Sequence, residues 1–217
     1  MTEIDGPRMA PLSAKQASSL VVFLHGYGAD GNDLIGLAPQ LGQLLPDTAF
    51  VSPHAPEQCE MSPFGRQWFS LIDRSEEAMR AGVKTAAPVL DAFLDKEMAS
   101  LGLTPEKVAL VGFSQGTMMS LYAALRRAEP VAGIVGYSGR LLDAEALEAE
   151  IKSRPPVLLV HGDADEVVPY PALAHAEQGL KSAGVEVDSL TCSGLGHGID
   201  GSGLSAGVAF LQRVLAG

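Results

Sequence analysis

The stretch VALVGFSQGTMMSLY, residues 108 to 122, passes from an unbroken apolar run into a helical pattern by way of G-F-S-Q-G. The run reads as a strand buried on both faces, and Met118, Leu121, Tyr122 and Leu125 recur at the spacing of an amphipathic helix. A sharp strand-to-helix turn must lie between them. Gly112 and Gly116 have no Cβ to clash in such a turn, so Ser114 can hold its hydroxyl above the sheet edge. The helix aims its first amides at the same spot, where they would meet developing negative charge. The plainer reading, a turn serine that only caps its helix, competes with this one. The buried strand before Ser114 and the helix after it favour a nucleophile.

The same alternation extends in both directions. Short apolar runs occur at 19 to 25 (SLVVFLH), 49 to 52 (AFVS), 107 to 114, 131 to 138 (VAGIVGYS), 156 to 162 (PVLLVHG) and 185 to 193 (VEVDSLTCS). Near-continuous apolar strands of this kind belong to a parallel sheet covered on both faces. Between them Val83, Ala87, Leu90, Phe93, Leu94, Met98 and Leu101 keep a helical period, with Pro88 expected to kink that helix. Strand and helix alternate throughout, which predicts an α/β fold: an open, mostly parallel, doubly wound sheet with right-handed crossovers and helices on both faces. No internal repeat or low-complexity linker divides the chain, so residues 1 to 217 are expected to form one domain. Residues 53 to 75 are the least regular segment and read as a long functional loop holding Trp68.

Composition narrows the function. A net formal charge of -11 with no basic block argues against nucleic-acid binding, which draws its affinity from Lys and Arg. Cys59 and Cys192 are too few for a disulfide framework and lack metal-ligand spacing, so free thiols in a reducing compartment are expected. The first residues, MTEIDGPRMAPLSAK, carry no apolar core of signal length, and no apolar run approaches the roughly 20 residues of a membrane span. A cytoplasmic location follows as the expectation.

Gly26, Gly28 and Gly31 in VVFLHGYGADG match G-x-G-x-x-G, the dinucleotide fingerprint. That reading needs an acid near the end of the second strand to hold a ribose, and AFVSPHAP offers none before Glu57. Asp30 inside the loop and Asp33 just after it would also repel a pyrophosphate. The loop therefore serves some other chemistry, or only a tight turn.

A serine nucleophile needs a base, and the base needs a group that fixes its tautomer. In folds of this type the chain order is Ser, then Asp or Glu, then His. His25, His54 and His161 sit at or just past strand ends; His175 and His197 leave room for an intervening acid. His175 lies in a helical stretch, whereas His197 lies in a glycine-rich loop after the last strand, where open α/β sheets place their sites. The acid should follow the preceding strand, and PVLLVHGDADEVVPY offers Asp163, Asp165 and Glu166. As a metal site this cluster has too few ligands on too short a span, so neither metal nor other cofactor is expected.

Taken together, FLHGYGADG, SPHAP, QWF, LVGFSQG, VHGDADEVVP and GLGHGI, in this order and spacing, resemble the phospholipase/carboxylesterase family of α/β-hydrolases, which includes bacterial carboxylesterases and acyl-protein thioesterases. The resemblance runs from about residue 19 to the end. It implies a serine carboxylesterase working through an acyl-enzyme on a small ester or acyl substrate, with acyl-thioesterase or lysophospholipase as the alternative on the same machinery. A ligand-binding module that has lost catalysis is the rival from another class. The resemblance nominates Ser114, Asp165 (over Asp163) and His197 as catalytic residues, and the backbone amides of Tyr27 and Gln115 as the oxyanion hole. It further implies no large cap domain and a shallow acyl groove walled in part by the 53 to 75 loop and Trp68. Thr117 departs from the family pattern, where a second glycine is common. Monomer and homodimer both stay open.

Overall fold

The computed structural model describes residues 2–216. In chain order the elements are β1 (Arg8–Met9), β2 (Ser19–Leu24), α1 (Gly31–Leu34), α2 (Ala38–Leu44), β3 (Thr48–Val51), β4 (Glu57–Gln58), β5 (Arg66–Gln67) and α3 (Glu76–Leu101). They continue with β6 (Val108–Phe113), α4 (Gln115–Ala124), β7 (Gly133–Tyr137), α5 (Ala144–Glu150), β8 (Val157–Gly162), α6 (Pro171–Ser182), β9 (Val187–Cys192) and α7 (Gly201–Leu215). Seven strands form one sheet in the order β1-β3-β2-β6-β7-β8-β9, parallel throughout except for β1, which runs antiparallel to β3. Strand order reverses beside β2, so the carboxyl ends of β2 and β6 open onto the place where such sheets hold their sites.

Alternation along each central strand feeds two cores. Leu20, Val22 and Leu24 of β2 and Val108 and Leu110 of β6 point to a core shared with α3, α4, α5 and α6. Val21 and Phe23, with Ala109 and Val111, point to the other, shared with α2 and α7. Both faces being covered explains why these strands read as continuous apolar runs. The outermost parallel strand, β9, is covered less, and its residues are mostly part-exposed or exposed until Cys192.

Three local details differ from expectation. The helix α4 is buried on every side rather than amphipathic, because α3 packs over the face turned away from the sheet. The helix α3 runs through Pro88 without a break; Pro88 is exposed, so the Lys84 carbonyl that loses its donor lies on the solvent side. Ser75 caps α3 by accepting from the Ala78 amide, and Gly102, at φ 66°, ends it. The 53 to 75 segment contains a short antiparallel ribbon, β4 paired with β5, and the chain forms no separate cap layer among the described residues.

Candidate active site

Ser114 is the hinge between β6 and α4, with φ 54° and ψ -115°. A non-glycine residue held at positive φ costs on the order of 1–3 kcal/mol and persists only where its surroundings fix it. They do so here. The Ser114 amide donates to the Tyr137 carbonyl at 2.9 Å, and the buried Thr117 hydroxyl lies 2.9 Å from the carbonyls of both Gly112 and Tyr137. Thr117, the departure from the family pattern, thus ties the first turn of α4 to β6 and β7. Gly116 is required by close approach: a Cβ there would lie 1.7 Å from the Leu24 carbonyl oxygen.

His197 sits in the loop between β9 and α7, and its Nδ1 lies 2.8 Å from Asp165 Oδ2. Asp165 follows β8, and its side chain is fully buried. Its other oxygen, Oδ1, accepts from the amides of Val167 and Val168, each at 2.9 Å. A carboxylate engaged in this way cannot turn, and it makes Nδ1 of His197 the donor, leaving Nε2 for the cavity. Burial pushes the Asp165 carboxyl up, but hydrogen bonds from His197 and from the Val168 and Val167 amides together hold it below its ordinary value.

The three candidate acids therefore part company. Asp163 is exposed and accepts from the Gly194 amide at 2.6 Å, tying down the loop that carries His197. Glu166 is exposed, and only Asp165 faces the imidazole.

Ser114 and His197 line one cavity of about 460 Å³ together with Gly26 and Tyr27. No hydrogen bond joins Ser114 Oγ to His197 among the described residues. In ligand-free sites this contact is often long and tightens when substrate is bound. The Phe113 ring packs beside the imidazole, with centroids 4.8 Å apart.

The amides of Tyr27 and Gln115 have no acceptor among the described residues; Tyr27 follows β2 and lines the Ser114 cavity, and Gln115 opens α4 directly after Ser114. Gly28, at φ 84°, lets the β2 loop turn back on itself, and its amide donates to the Arg66 carbonyl of β5 at 2.9 Å. The Arg66 amide in turn donates to the Ala29 carbonyl at 2.7 Å, so the ribbon buttresses the loop. The Tyr27 hydroxyl adds a further tie to Glu60 at 3.2 Å.

Trp68 corrects the expectation of a groove wall. Its side chain is 1% exposed, lies outside the lining of the Ser114 cavity, and donates from Nε1 to the His25 carbonyl at 3.1 Å. It supports the loop of Tyr27 from below. The 53 to 75 loop does reach the cavity, through Leu71 and Arg74.

Two residues with no assigned role in the sequence reading, His25 and His161, and the side chain of Gln115, whose backbone amide alone has one there, prove structural to the site. The buried Gln115 side chain accepts from the Trp68 amide at 2.9 Å and donates to the Phe69 carbonyl at 2.8 Å, clamping the long loop to the nucleophile turn. His25 accepts at Nε2 from the Ala55 amide at 3.0 Å, which leaves Nδ1–H to donate to the Gly26 carbonyl at 2.8 Å; burial pushes its pKa down and keeps it neutral. His161 Nε2 donates to the Val168 carbonyl at 2.9 Å and so fixes the turn whose amides hold Asp165. The one signal the two histidines share in the sequence is a repeated strand-His-Gly, LHG at 24 to 26 and VHG at 160 to 162.

Among the described residues no three His, Cys, Asp or Glu side chains gather as metal ligands, and no helix is long and apolar enough to cross a membrane.

The family model described as Phospholipase/Carboxylesterase matches residues 11–215. Acyl-protein thioesterase 1 of Neurospora crassa is 32% identical over 208 residues, covering 88% of this chain and 84% of that protein. Acyl-protein thioesterase 1 of Gibberella zeae is 30% identical, covering 96% of this chain and 97% of that protein. Among solved structures, esterase PE8 superposes with a TM-score of 0.94 at 46% identity, covering 98% of this chain and all of that one (100%). SOBER1 of Arabidopsis thaliana follows with a TM-score of 0.77 at 26% identity, covering 91% of this chain and 99% of that one.

Proposed function

The chain belongs to the phospholipase/carboxylesterase family of α/β-hydrolases and is a hydrolase acting on esters; from that premise we propose that it is a serine carboxylesterase with Ser114, His197 and Asp165 as its catalytic residues. The observation that carries the assignment is the 2.8 Å pair between His197 Nδ1 and the buried Asp165, facing the cavity that Ser114 also lines.

In the reaction the Ser114 oxygen attacks the ester carbonyl while His197 Nε2 takes its proton. The Asp165 carboxylate holds the imidazole in the required tautomer and stabilises the imidazolium. The carbonyl oxygen, now carrying the charge, sits against the Tyr27 and Gln115 amides. An oxyanion donor of this kind contributes about 3–4 kcal/mol to the barrier reduction. Collapse expels the alcohol, which takes its proton from His197, and leaves an acyl-enzyme. Water then repeats the sequence with His197 as base and releases the acid.

Labelling with a fluorophosphonate tests the nucleophile. The label should sit on Ser114 and disappear in Ser114→Ala, with the fold unchanged. Labelling of another serine would refute the assignment, and absence of labelling in wild type would favour a ligand-binding module.

Acyl-thioesterase activity is the second reading, favoured by the acyl-protein thioesterases of the two fungi. The same residues serve it, as they would a lysophospholipase, because only the leaving group differs. An ester series from acetyl to palmitoyl, run beside a matched acyl-thioester, decides by the ratio of kcat/KM.

A further inference from the structure

The Ser114 cavity adjoins a second one of about 660 Å³, and Arg140, Ala172 and His175 line both. Arg140 therefore stands on the ridge between them, just beyond β7. Its side chain is 38% exposed, and the carboxylate that approaches it, Glu76, is 3.8 Å away and itself 84% exposed. Neighbouring guanidiniums are engaged more tightly: Arg80 with Asp143 at 2.8 Å, Arg126 with Glu150 at 2.8 Å and Arg127 with Asp91 at 3.0 Å. Arg140 alone of this group keeps most of its donor fork unfilled while facing the reactive serine's cavity. Local charge is also reversed. The chain carries -11, yet the Ser114 cavity is lined by Arg74 and Arg140 against the single carboxylate of Asp33 among the described residues.

We propose that Arg140 binds a carboxylate carried by the substrate away from its ester bond, so that the protein prefers monoanionic esters to neutral ones. The proposal rests on the ester-hydrolase reading with Ser114 as nucleophile. A planar guanidinium matches a carboxylate with two parallel hydrogen bonds. A phosphate dianion fits less well, because Glu76, Glu145 and Glu148 line the adjoining cavity.

The test is a matched pair of para-nitrophenyl esters, the hexanoate and the monoadipate, whose acyl chains differ only in ending with a methyl or a carboxylate. Without an anchor, a chain of this net charge repels the anion and makes the monoadipate the poorer substrate. With Arg140 as anchor, kcat/KM for the monoadipate exceeds that for the hexanoate at low salt, and added salt erodes the preference. In Arg140→Gln the ratio falls by about tenfold, through KM, and Arg140→Lys keeps part of it. The wild-type ratio and its salt dependence need no variant to fold. A second pair, meta-(carboxymethyl)phenyl butyrate and meta-ethylphenyl butyrate, moves the carboxylate to the leaving group. A preference abolished by Arg140→Gln in either pair supports the proposal and identifies the arm that reaches Arg140. No preference in both pairs, or one that Arg140→Gln leaves unchanged, overturns it. So does stronger turnover of a phosphonate analogue than of its carboxylate. Failure of the wild type to hydrolyse any of these esters would instead refute the ester-hydrolase reading.

Discussion

Replacing Asp165 by Asn changes one atom and confronts the site with a choice it cannot satisfy. Oδ1 accepts two amides, Val167 and Val168, and Oδ2 accepts the His197 Nδ1–H. If the Asn oxygen stays on the two amides, its NH2 faces His197, forces Nδ1 to accept, and puts the imidazole proton on Nε2, where the base is needed. If the amide flips, the oxygen can serve His197, but the NH2 then faces two N–H donors, the buried one of Val168 and the part-buried one of Val167. Leaving the buried Val168 donor unsatisfied costs roughly 1–3 kcal/mol, and the part-buried Val167 donor adds less. The unflipped, wrong-tautomer state is therefore the one populated, and that state costs up to about 10⁴ in kcat. We expect Asp165→Asn to lose at least about 10²-fold in kcat with little change in KM. Asp163→Asn keeps an acceptor for the Gly194 amide, and Glu166 is exposed, so Asp163→Asn and Glu166→Gln should each lose less than about tenfold. All three are measured on one chromogenic ester at one pH. A crippled Asp163→Asn beside an active Asp165→Asn would refute the reasoning and move the acid by two residues.

Ser114→Ala and His197→Ala should each lower kcat by on the order of 10⁴-fold or more, and the double variant should be no worse than either alone, because the two act as a unit; additive losses on the same ester would separate them. Gln115→Ala removes both bonds of a buried clamp and leaves the Trp68 amide without its acceptor, so unfolding in urea should show a loss of about 2–5 kcal/mol; an unchanged midpoint would mean the loop is held elsewhere. The Asp165 carboxyl is held below its ordinary value, so its contribution to stability is complete above its unfolded-state pKa of about 3.9 and is lost as pH falls further, through the folded value. The urea midpoint of the wild type should therefore drop more steeply on acidification below about pH 4 than that of Asp165→Asn, and parallel curves would contradict the sign.

The sheet was legible because burial on both faces leaves a mark that survives without any partner's sequence. All six apolar runs are strands, and each ends within a few residues of its expected limits. Elements stabilised by their surroundings left no such mark. The strands β1, β4 and β5 are two residues each, too short for a period, and exist because β3 or the partner arm of the ribbon offers an edge. For α4, helical spacing was visible, but nothing in its own residues announces that α3 covers the far side.

The same division runs through the site. Ser114 declares itself because its sharp turn folds the start of α4 back onto β6: a Cβ on Gly112 would lie 2.5 Å from the Gly116 carbonyl carbon, and that demand for glycine is written locally. Asp165 does not: three acids within four residues look alike until the turn supplies two amides to one of them and aims its other oxygen at a loop 32 residues away. Trp68 misled for a related reason. A tryptophan in a Pro- and Gly-containing loop looks like a surface binding residue, yet an indole can be buried wherever its N–H finds an acceptor, and here the His25 carbonyl is that acceptor. The glycine-rich loop at 26 to 31 joins these strands of argument. Its backbone is held by Trp68 below, by His25 within and by β5 alongside, through contacts that join residues 30 or more apart in the chain. The glycines permit the loop to approach a reacting oxygen, but the buttressing sets where the Tyr27 amide points, and that part of the design becomes readable only in three dimensions.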